Sequence, residues 1–352
     1  MKTIAFAGGW TWGHIFPIKA LIESLPKQGY QILWFGEKWK LEEKIANQLK
    51  NEGYNIVFIP ILAGKIRRQF DIKSIWKNFV DLFKNFVGFF QSVYYVCKYQ
   101  PEFVFSKWGF VAFNPSLAGK ICWKKVYLHE SDTIPGLVNK LVGKFADKVF
   151  LWFSQAEKFF NKNKTLVVGQ LLTGKLEDFQ ENWKWWKTNL LVVGGSQGAK
   201  ILIQAMKNLL DKWILKNFNV YVVGGLLNKE NIFKDYENVK FYQFIPQEEL
   251  FKLYQLADLT ITRGSATSLA EQEYFNIRKI IVPLPFTGGN HQYFNGIAYQ
   301  KKWDYLLSQQ EEKFEEKLGR ILKKLEGWKK PSSLVREVVE GKRKVLDYLH
   351  IK

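Results

Sequence analysis

Short apolar runs at 3–7, 31–36, 55–60, 102–105, 126–132 and 148–152 are separated by stretches whose apolar positions recur every three or four residues. The first pattern predicts buried parallel strands and the second predicts helices, at 18–25, at 41–52 and from Pro135 onward. A second series follows, with strands at 189–193, 219–225, 239–241, 259–262 and 279–283. Helices are predicted after 199, ending near Ala257, around Glu271, and over 332–350. Strands alternating with helices imply an α/β fold of parallel sheets joined by right-handed crossovers. The polar stretch 161–164 marks a boundary, so two domains are expected, at 1–164 and 165–331, with 148–152 the last strand of the first.

The segment 65–98 stands apart. Ile75, Phe79, Val80, Phe83, Phe86, Val87, Phe90, Val93, Tyr94 and Cys97 fall at helical spacing and form one apolar face, expected to pack on the sheet. Just upstream, Arg67, Arg68, Phe70, Ile72 and Trp76 mix bases with bulky apolar groups. Such a mixture suits an anionic membrane surface, where bases meet headgroups and aromatic rings enter the interface.

Composition narrows the class. The chain has 352 residues, 47% hydrophobic and 24% charged, as a folded two-domain protein should. Its formal net charge of +19 favours an anionic partner: acidic lipid, nucleic acid or a phosphorylated substrate. A tryptophan–lysine cluster at 183–187 keeps nucleic acid in view, although no nucleic-acid-binding module is recognisable. The two cysteines exclude a disulfide framework and a thiolate metal site, and suit a reducing cytoplasm.

Each series opens on a strand, a glycine-rich turn and a helix: Gly8-Gly9 through Gly13-His14, and Gly194-Gly195-Ser196-Gln197-Gly198. Such turns offer unpaired N–H groups to an anionic oxygen. Neither matches the dinucleotide pattern G-x-G-x-x-G. His14 lies at the mouth of the first turn as a candidate base, imidazole being the side chain that titrates nearest neutrality. His129, Glu130 and Asp132 collect at a strand's carboxyl end, where open α/β sheets bind ligands; Asp132 is equally placed to cap the next helix. In the second half, the 264–268 turn suits a diphosphate and Glu271 suits a ribose diol. Phe244-Ile245 suits a uracil, and Gln292 with Asn295, at i and i+3, suits sugar hydroxyls. Together these point to a nucleotide-sugar donor.

Gly9-x-Thr11-x-Gly13-His14-x-x-Pro17, His129-Glu130-Ser131-Asp132-x-x-Pro135-Gly136-Leu137-x-Asn139 and Gly194-Gly195-Ser196-Gln197-Gly198-Ala199 resemble the MurG family. That family comprises the N-acetylglucosaminyltransferases converting lipid I to lipid II in peptidoglycan synthesis. The similarity continues through Phe244-Ile245, Arg263-x-x-Ala266-x-Ser268-x-x-Glu271 and Gln292-Tyr293-Phe294-Asn295.

The resemblance implies a GT-B fold, two Rossmann-like domains facing across a cleft, with the final helix packing back on the first. It implies inverting, metal-independent transfer from UDP-GlcNAc, as a substrate and without a cofactor, to the C4 hydroxyl of a polyprenyl-diphosphate-linked muramoyl peptide. His14 and Asp132 are then the catalytic candidates. Gly9, Gly13, His14, Glu130, Asp132 and Asn139 would face the acceptor. Thr11, Gly13, Ser196, Gln197, Phe244, Ile245, Ser268, Glu271, His291, Gln292 and Asn295 would face the donor. A peripheral enzyme on the cytoplasmic face of the membrane is expected, and no nucleic-acid partner. The alternatives are a glycolipid synthase or UDP-sugar epimerase of the same fold, or, in a different class, a basic nucleic-acid-binding protein. Trp10 and Trp12 stand where the family carries glycines, which narrows the expected diphosphate pocket. Thr173 ends a segment that in the family supplies a donor-binding arginine.

Overall fold

The computed structural model describes residues 1–9, 12–65, 72–173, 187–195, 198–225, 231–286 and 288–351. Trp10, Thr11, Arg67, Arg68, Phe70, Ser196, Gln197 and the 183–186 part of the tryptophan–lysine cluster lie outside them. The chain divides into two compact units, 1–173 with 340–352, and 174–339.

The first unit runs β1 (Lys2–Ala7), α1 (Trp12–Glu23), β2 (Tyr30–Gly36), α2 (Leu41–Asn51), β3 (Ile56–Pro60), α3 (Ile72–Tyr99), β4 (Phe103–Ser106), α4 (Phe110–Ile121), β5 (Lys125–Glu130), α5 (Leu137–Phe145), β6 (Lys148–Leu151) and β7 (Thr165–Val167). Among the described residues its strands form one parallel sheet in the order β3-β2-β1-β4-β5-β6-β7. The sequence boundary at 164 therefore falls too early. The polar 161–164 stretch reads as a linker, yet it is a short 3-10 turn between β6 and β7, and β7 extends the first sheet.

The second unit runs β8 (Thr188–Val193), α6 (Lys200–Asp211), β9 (Phe218–Val223), β10 (Val239–Tyr242), α7 (Gln247–Leu256), β11 (Leu259–Thr262), α8 (Ala266–Tyr274), β12 (Arg278–Ile281), α9 (His291–Tyr299), β13 (Tyr305–Leu306) and α10 (Phe314–Lys324). Its parallel sheet has the order β10-β9-β8-β11-β12-β13. In both sheets the order reverses beside the opening strand, between β1 and β4 and between β8 and β11. Such a reversal opens a crevice at the strand carboxyl ends, and there the glycine turns lie.

The central strands are buried on both sides, as Ile4, Phe6, Trp34, Phe105 and Phe150 are in the first sheet and Leu190, Val192, Val220 and Ile261 in the second. The terminal helix is shorter than expected. Residues 336–339 form a 3-10 turn, and α11 (Gly341–Tyr348) follows. It belongs to the first unit: Val345 is buried in that core, and the Tyr348 ring lies 5.3 Å from that of Phe150.

Helix α3 reverses the expectation drawn from its periodicity. Ile75, Trp76, Phe79, Phe83, Phe86, Phe90 and Tyr94 are exposed, whereas Ser74, Asp81, Gly88, Ser92 and Val96 face inward. The inward face is small because the helix rides close to its support. A Cβ on Gly88 would collide with the Leu62 carbonyl, and one on Gly64 with the Asp81 backbone. Asn114 on α4 and Asn85 on α3 complete that seam, the former donating to the Asn85 carbonyl at 3.0 Å.

Candidate active site

The turn after β1 is locked from several sides. A Cβ on Gly8 would sit 2.7 Å from the Lys107 carbonyl oxygen, and one on Gly9 would collide with the buried Glu42 carboxylate. Trp34 donates through Nε1 to the Gly8 carbonyl at 3.2 Å. His14, in the first turn of α1, has Nδ1 2.9 Å from the Gly9 carbonyl oxygen. A carbonyl only accepts, so Nδ1 carries the proton and the neutral ring has its lone pair on Nε2. The Trp108 ring packs on the imidazole at a centroid distance of 4.2 Å. Gly13, the second residue of α1, is partly exposed beside it.

Trp108 and Gly109 follow β4 with φ values of 50° and 96°. The second suits glycine, and a Cβ there would lie 3.4 Å from the Gly9 carbonyl oxygen. This turn also carries Lys107, a residue the sequence reading passed over because one lysine at a strand end reads as solvated. Lys107 is buried, and its ammonium donates to Ser131 Oγ. Ser131 in turn donates to Gln170 Oε1 at 2.9 Å.

Around Lys107 the polar end of β5 is closed. Glu130 accepts from the Asp132 N–H and from Asn139 Nδ2, both at 2.8 Å. His129 Nε2 donates to the Gly169 carbonyl at 3.0 Å, and its buried Nδ1 has no hydrogen-bond partner. Burial, with help from Lys107, holds His129 well below the usual imidazole range. Burial and Asp132 push the Glu130 carboxyl up, against the pull of Lys107; burial pushes the Lys107 ammonium down, against Glu130 and Asp132. Glu130 and Asn139, expected to face an acceptor, are thus buried and bonded to each other, and shape the turn from beneath. Asp132 alone of this carboxylate pair is partly exposed. It does not cap α5, whose N-cap is Gly136 with no side-chain bond. Thr173 donates to Glu23 at 2.7 Å, and Glu23 pairs with Lys19 at 3.1 Å, all inside the first unit.

In the second unit, Gly195 and Gly198 turn the chain after β8, the Gly198 N–H donating to the Gly195 carbonyl at 3.0 Å. After β11, Gly264 meets the start of α9 so closely that a Cβ would collide with the Gln292 carbonyl. Ser265 is the N-cap of α8 and makes no side-chain capping bond, so the helix start presents backbone N–H groups. Ser268 is partly exposed there. Glu271, further along α8, is buried; its Oε1 accepts from Gln247 Nε2 at 3.1 Å, and burial pushes its carboxyl up to about 8. Gln247 opens α7 immediately after Phe244-Ile245-Pro246, with Phe244 exposed and Ile245 half-buried. The structure therefore brings the expected uracil edge and ribose carboxylate together through a glutamine that the sequence reading did not single out.

Arg263 is buried against the Val282 carbonyl and Gln309 Oε1, at 3.0 and 2.7 Å. Of the amides expected to face a sugar, Gln292 is partly exposed and accepts from the Leu284 N–H at 2.9 Å. Asn295 is fully buried and donates to the Gly264 carbonyl at 3.2 Å, so it ties α9 to the glycine turn instead of facing a sugar. His291 begins α9, half-buried.

Residues 4–151 match the glycosyltransferase family 28 N-terminal domain, and residues 189–337 match its C-terminal domain. The UDP-N-acetylglucosamine–N-acetylmuramyl-(pentapeptide) pyrophosphoryl-undecaprenol N-acetylglucosamine transferase of Clostridium botulinum (strain Langeland) is 35% identical over 339 residues, covering 92% of this chain and 90% of that protein. Among solved structures, Acinetobacter baumannii MurG superposes with a TM-score of 0.70 at 22% identity, covering 99% of each chain. The UDP-GlcNAc 2-epimerase of Methanocaldococcus jannaschii gives 0.63 at 13% identity, covering 99% of this chain and 100% of that one. The fold alone thus accommodates both transfer and epimerisation.

Proposed function

The chain belongs to glycosyltransferase family 28, and on that premise we propose how its two units share one transfer reaction. It is an N-acetylglucosaminyltransferase of peptidoglycan synthesis, passing N-acetylglucosamine to lipid I; relatives about 35% identical over 92% of the chain support this reading over an epimerase. UDP-N-acetylglucosamine is the donor, and the acceptor is an undecaprenyl-diphosphate-linked N-acetylmuramyl pentapeptide.

The observation that carries the site assignment is the placement of a base and a carboxylate at equivalent switch points of two like sheets. In the second unit, the α8 start offers N–H groups to the donor diphosphate, Glu271 accepts from the ribose hydroxyls, and the 244–245 edge holds uracil. In the first, His14 Nε2 takes the proton from the acceptor C4 hydroxyl as that oxygen attacks the anomeric carbon. The bond from that carbon to the phosphate oxygen breaks on the opposite face, which inverts the centre. The charge left on UDP falls on the α8 donors. Radiolabelled UDP-GlcNAc with and without acceptor tests this. Label moving to lipid only when the acceptor is present fits; label appearing as an epimerised nucleotide sugar without acceptor contradicts it.

Lys107 is a positioning residue in this scheme, holding Ser131 and, through it, the Asp132 turn. Lys107→Met removes a buried cation whose charge holds Glu130 and His129 down, so both neighbours take protons more readily. The acid limb of kcat/KM moves up by about one pH unit, and Lys107→Arg restores part of the shift. A profile that falls uniformly without moving would reduce Lys107 to a packing role.

The membrane reading finds a new carrier in α3. No helix among the described residues is long and apolar enough to cross a membrane. The exposed row from Trp76 through Phe79, Phe83, Phe86 and Phe90 instead suits insertion along one side into an interface, with Lys77 exposed beside it. In the sequence just ahead, Arg67, Arg68, Phe70 and Ile72 add bases and apolar groups of the kind an anionic interface binds. Replacing Trp76, Phe79 and Phe83 together by alanine weakens co-sedimentation with anionic vesicles by more than about tenfold. Binding that ignores both the substitutions and the lipid charge would contradict the assignment.

A further inference from the structure

The chain's two cysteines meet away from the site described above. Cys97 lies in the last turn of α3 and is exposed. Cys122 is the C-cap of α4, its N–H donating to the Ala118 carbonyl at 2.9 Å, and it is partly buried. Their Sγ atoms are 3.0 Å apart, although 25 positions separate them in sequence. With only two cysteines in 352 residues, the packing of α3 on α4 alone brings them together.

We propose that Cys97 and Cys122 form a redox-active dithiol that a peroxide closes into an intramolecular disulfide, stapling the last turn of α3 to the end of α4. The exposed Cys97 meets the oxidant. Its thiolate attacks one peroxide oxygen, the O–O bond breaks, and a sulfenic acid forms as the other oxygen leaves and is protonated to water. Cys122 then attacks the Cys97 sulfur, the S–O bond breaks, and a second water leaves. Two thiols are oxidised and one peroxide is reduced, so protons and electrons balance. Burial and the neighbouring Cys97 thiol push the Cys122 thiol up to about 11, which suits it to the second, resolving step better than to first attack. Dithiols closed this way in a reducing compartment are transient and reopened by thiol reductants. The aromatic face of α3 and this pair share one helix, so closure fixes one end of the surface proposed to meet the membrane.

The test uses the full chain exposed to stoichiometric hydrogen peroxide, then alkylated, digested with trypsin and analysed by mass spectrometry. The expected product joins peptides 85–98 and 121–124 with the loss of two hydrogen atoms, and dithiothreitol separates them. Cys97→Ser and Cys122→Ser each remain folded by circular dichroism and keep transfer activity. Cys122→Ser accumulates a sulfenic acid that dimedone traps on Cys97, and Cys97→Ser leaves Cys122 unmodified. Cys97 advancing to a sulfinic acid while Cys122 remains alkylatable would overturn the proposal. Disulfide-linked dimers in place of the internal bridge would do the same.

Discussion

Replacing His14 by alanine lowers the turnover number by about two to four orders of magnitude, the range for losing a general base, and leaves UDP affinity nearly unchanged. The reason lies in the tautomer. The Gly9 carbonyl takes the Nδ1 proton at 2.9 Å, so the basic nitrogen is Nε2, and Trp108 fixes the ring plane from one side. Alanine removes the imidazole proposed to take the acceptor's proton near neutrality. Trp108→Ala keeps that nitrogen but frees the ring, so a smaller loss in turnover is expected with the same pH profile. A steady-state assay at saturating donor separates the two variants. His14→Ala turning over within about threefold of the parent would leave no room for a base there.

Glu271 shows an effect in two opposite directions. With alanine in its place, the ribose hydroxyls lose a charged acceptor, worth about 1.5–3 kcal/mol, so UDP binds about 10- to 100-fold more weakly by calorimetry. Burial, however, holds this carboxyl up to about 8 in the free protein. Below the ordinary carboxylate range it is protonated whether the chain is folded or not, and no penalty arises. As pH rises toward 8 the unfolded chain gives up the proton and the folded one keeps it, so stability falls, and the loss is complete above 8. At about 1.4 kcal/mol per pH unit, the full penalty reaches up to about 5 kcal/mol. Glu271→Gln cannot ionise and is expected to be the more stable protein at pH 9, yet equal to the parent near pH 4. Donor hydroxyls favour the ionised carboxylate, so UDP affinity of the parent rises between pH 6 and 8 and that of Glu271→Gln stays flat. A Glu271→Gln protein that loses stability with pH as the parent does would show that the penalty arises elsewhere.

What the sequence made legible was what rests on local repetition. Apolar runs marked most of the strands, because a strand buried on both faces tolerates little else, and glycine turns after β1 and β8 marked where each unit opens. Helix α3 was legible in period and misleading in direction. Pattern reasoning seats the larger side chains on the core, but close backbone approach at Gly88 and Gly64 admits only small groups there. Asn295 illustrates a related limit: its spacing from Gln292 puts both amides on α9, and only coordinates reveal that Asn295 turns under Gly264. Lys107 and Gln247 were invisible for another reason. Each acquires its role from a residue far along the chain, Ser131 and Glu271 respectively, and a single polar residue at an element's edge carries no period. The strand β7 was lost to its polar preface, since three residues of sheet give too short a run to outweigh Asn161-Lys162-Asn163-Lys164.

The proposal gives nucleotide binding to Glu271 and proton removal to His14, and a UDP titration paired with a single-turnover transfer rate on the His14→Ala protein separates the two. The expected result is a UDP dissociation constant close to the parent's, with a transfer rate at least about a hundredfold lower. Affinity and rate falling together, or neither falling, would contradict it.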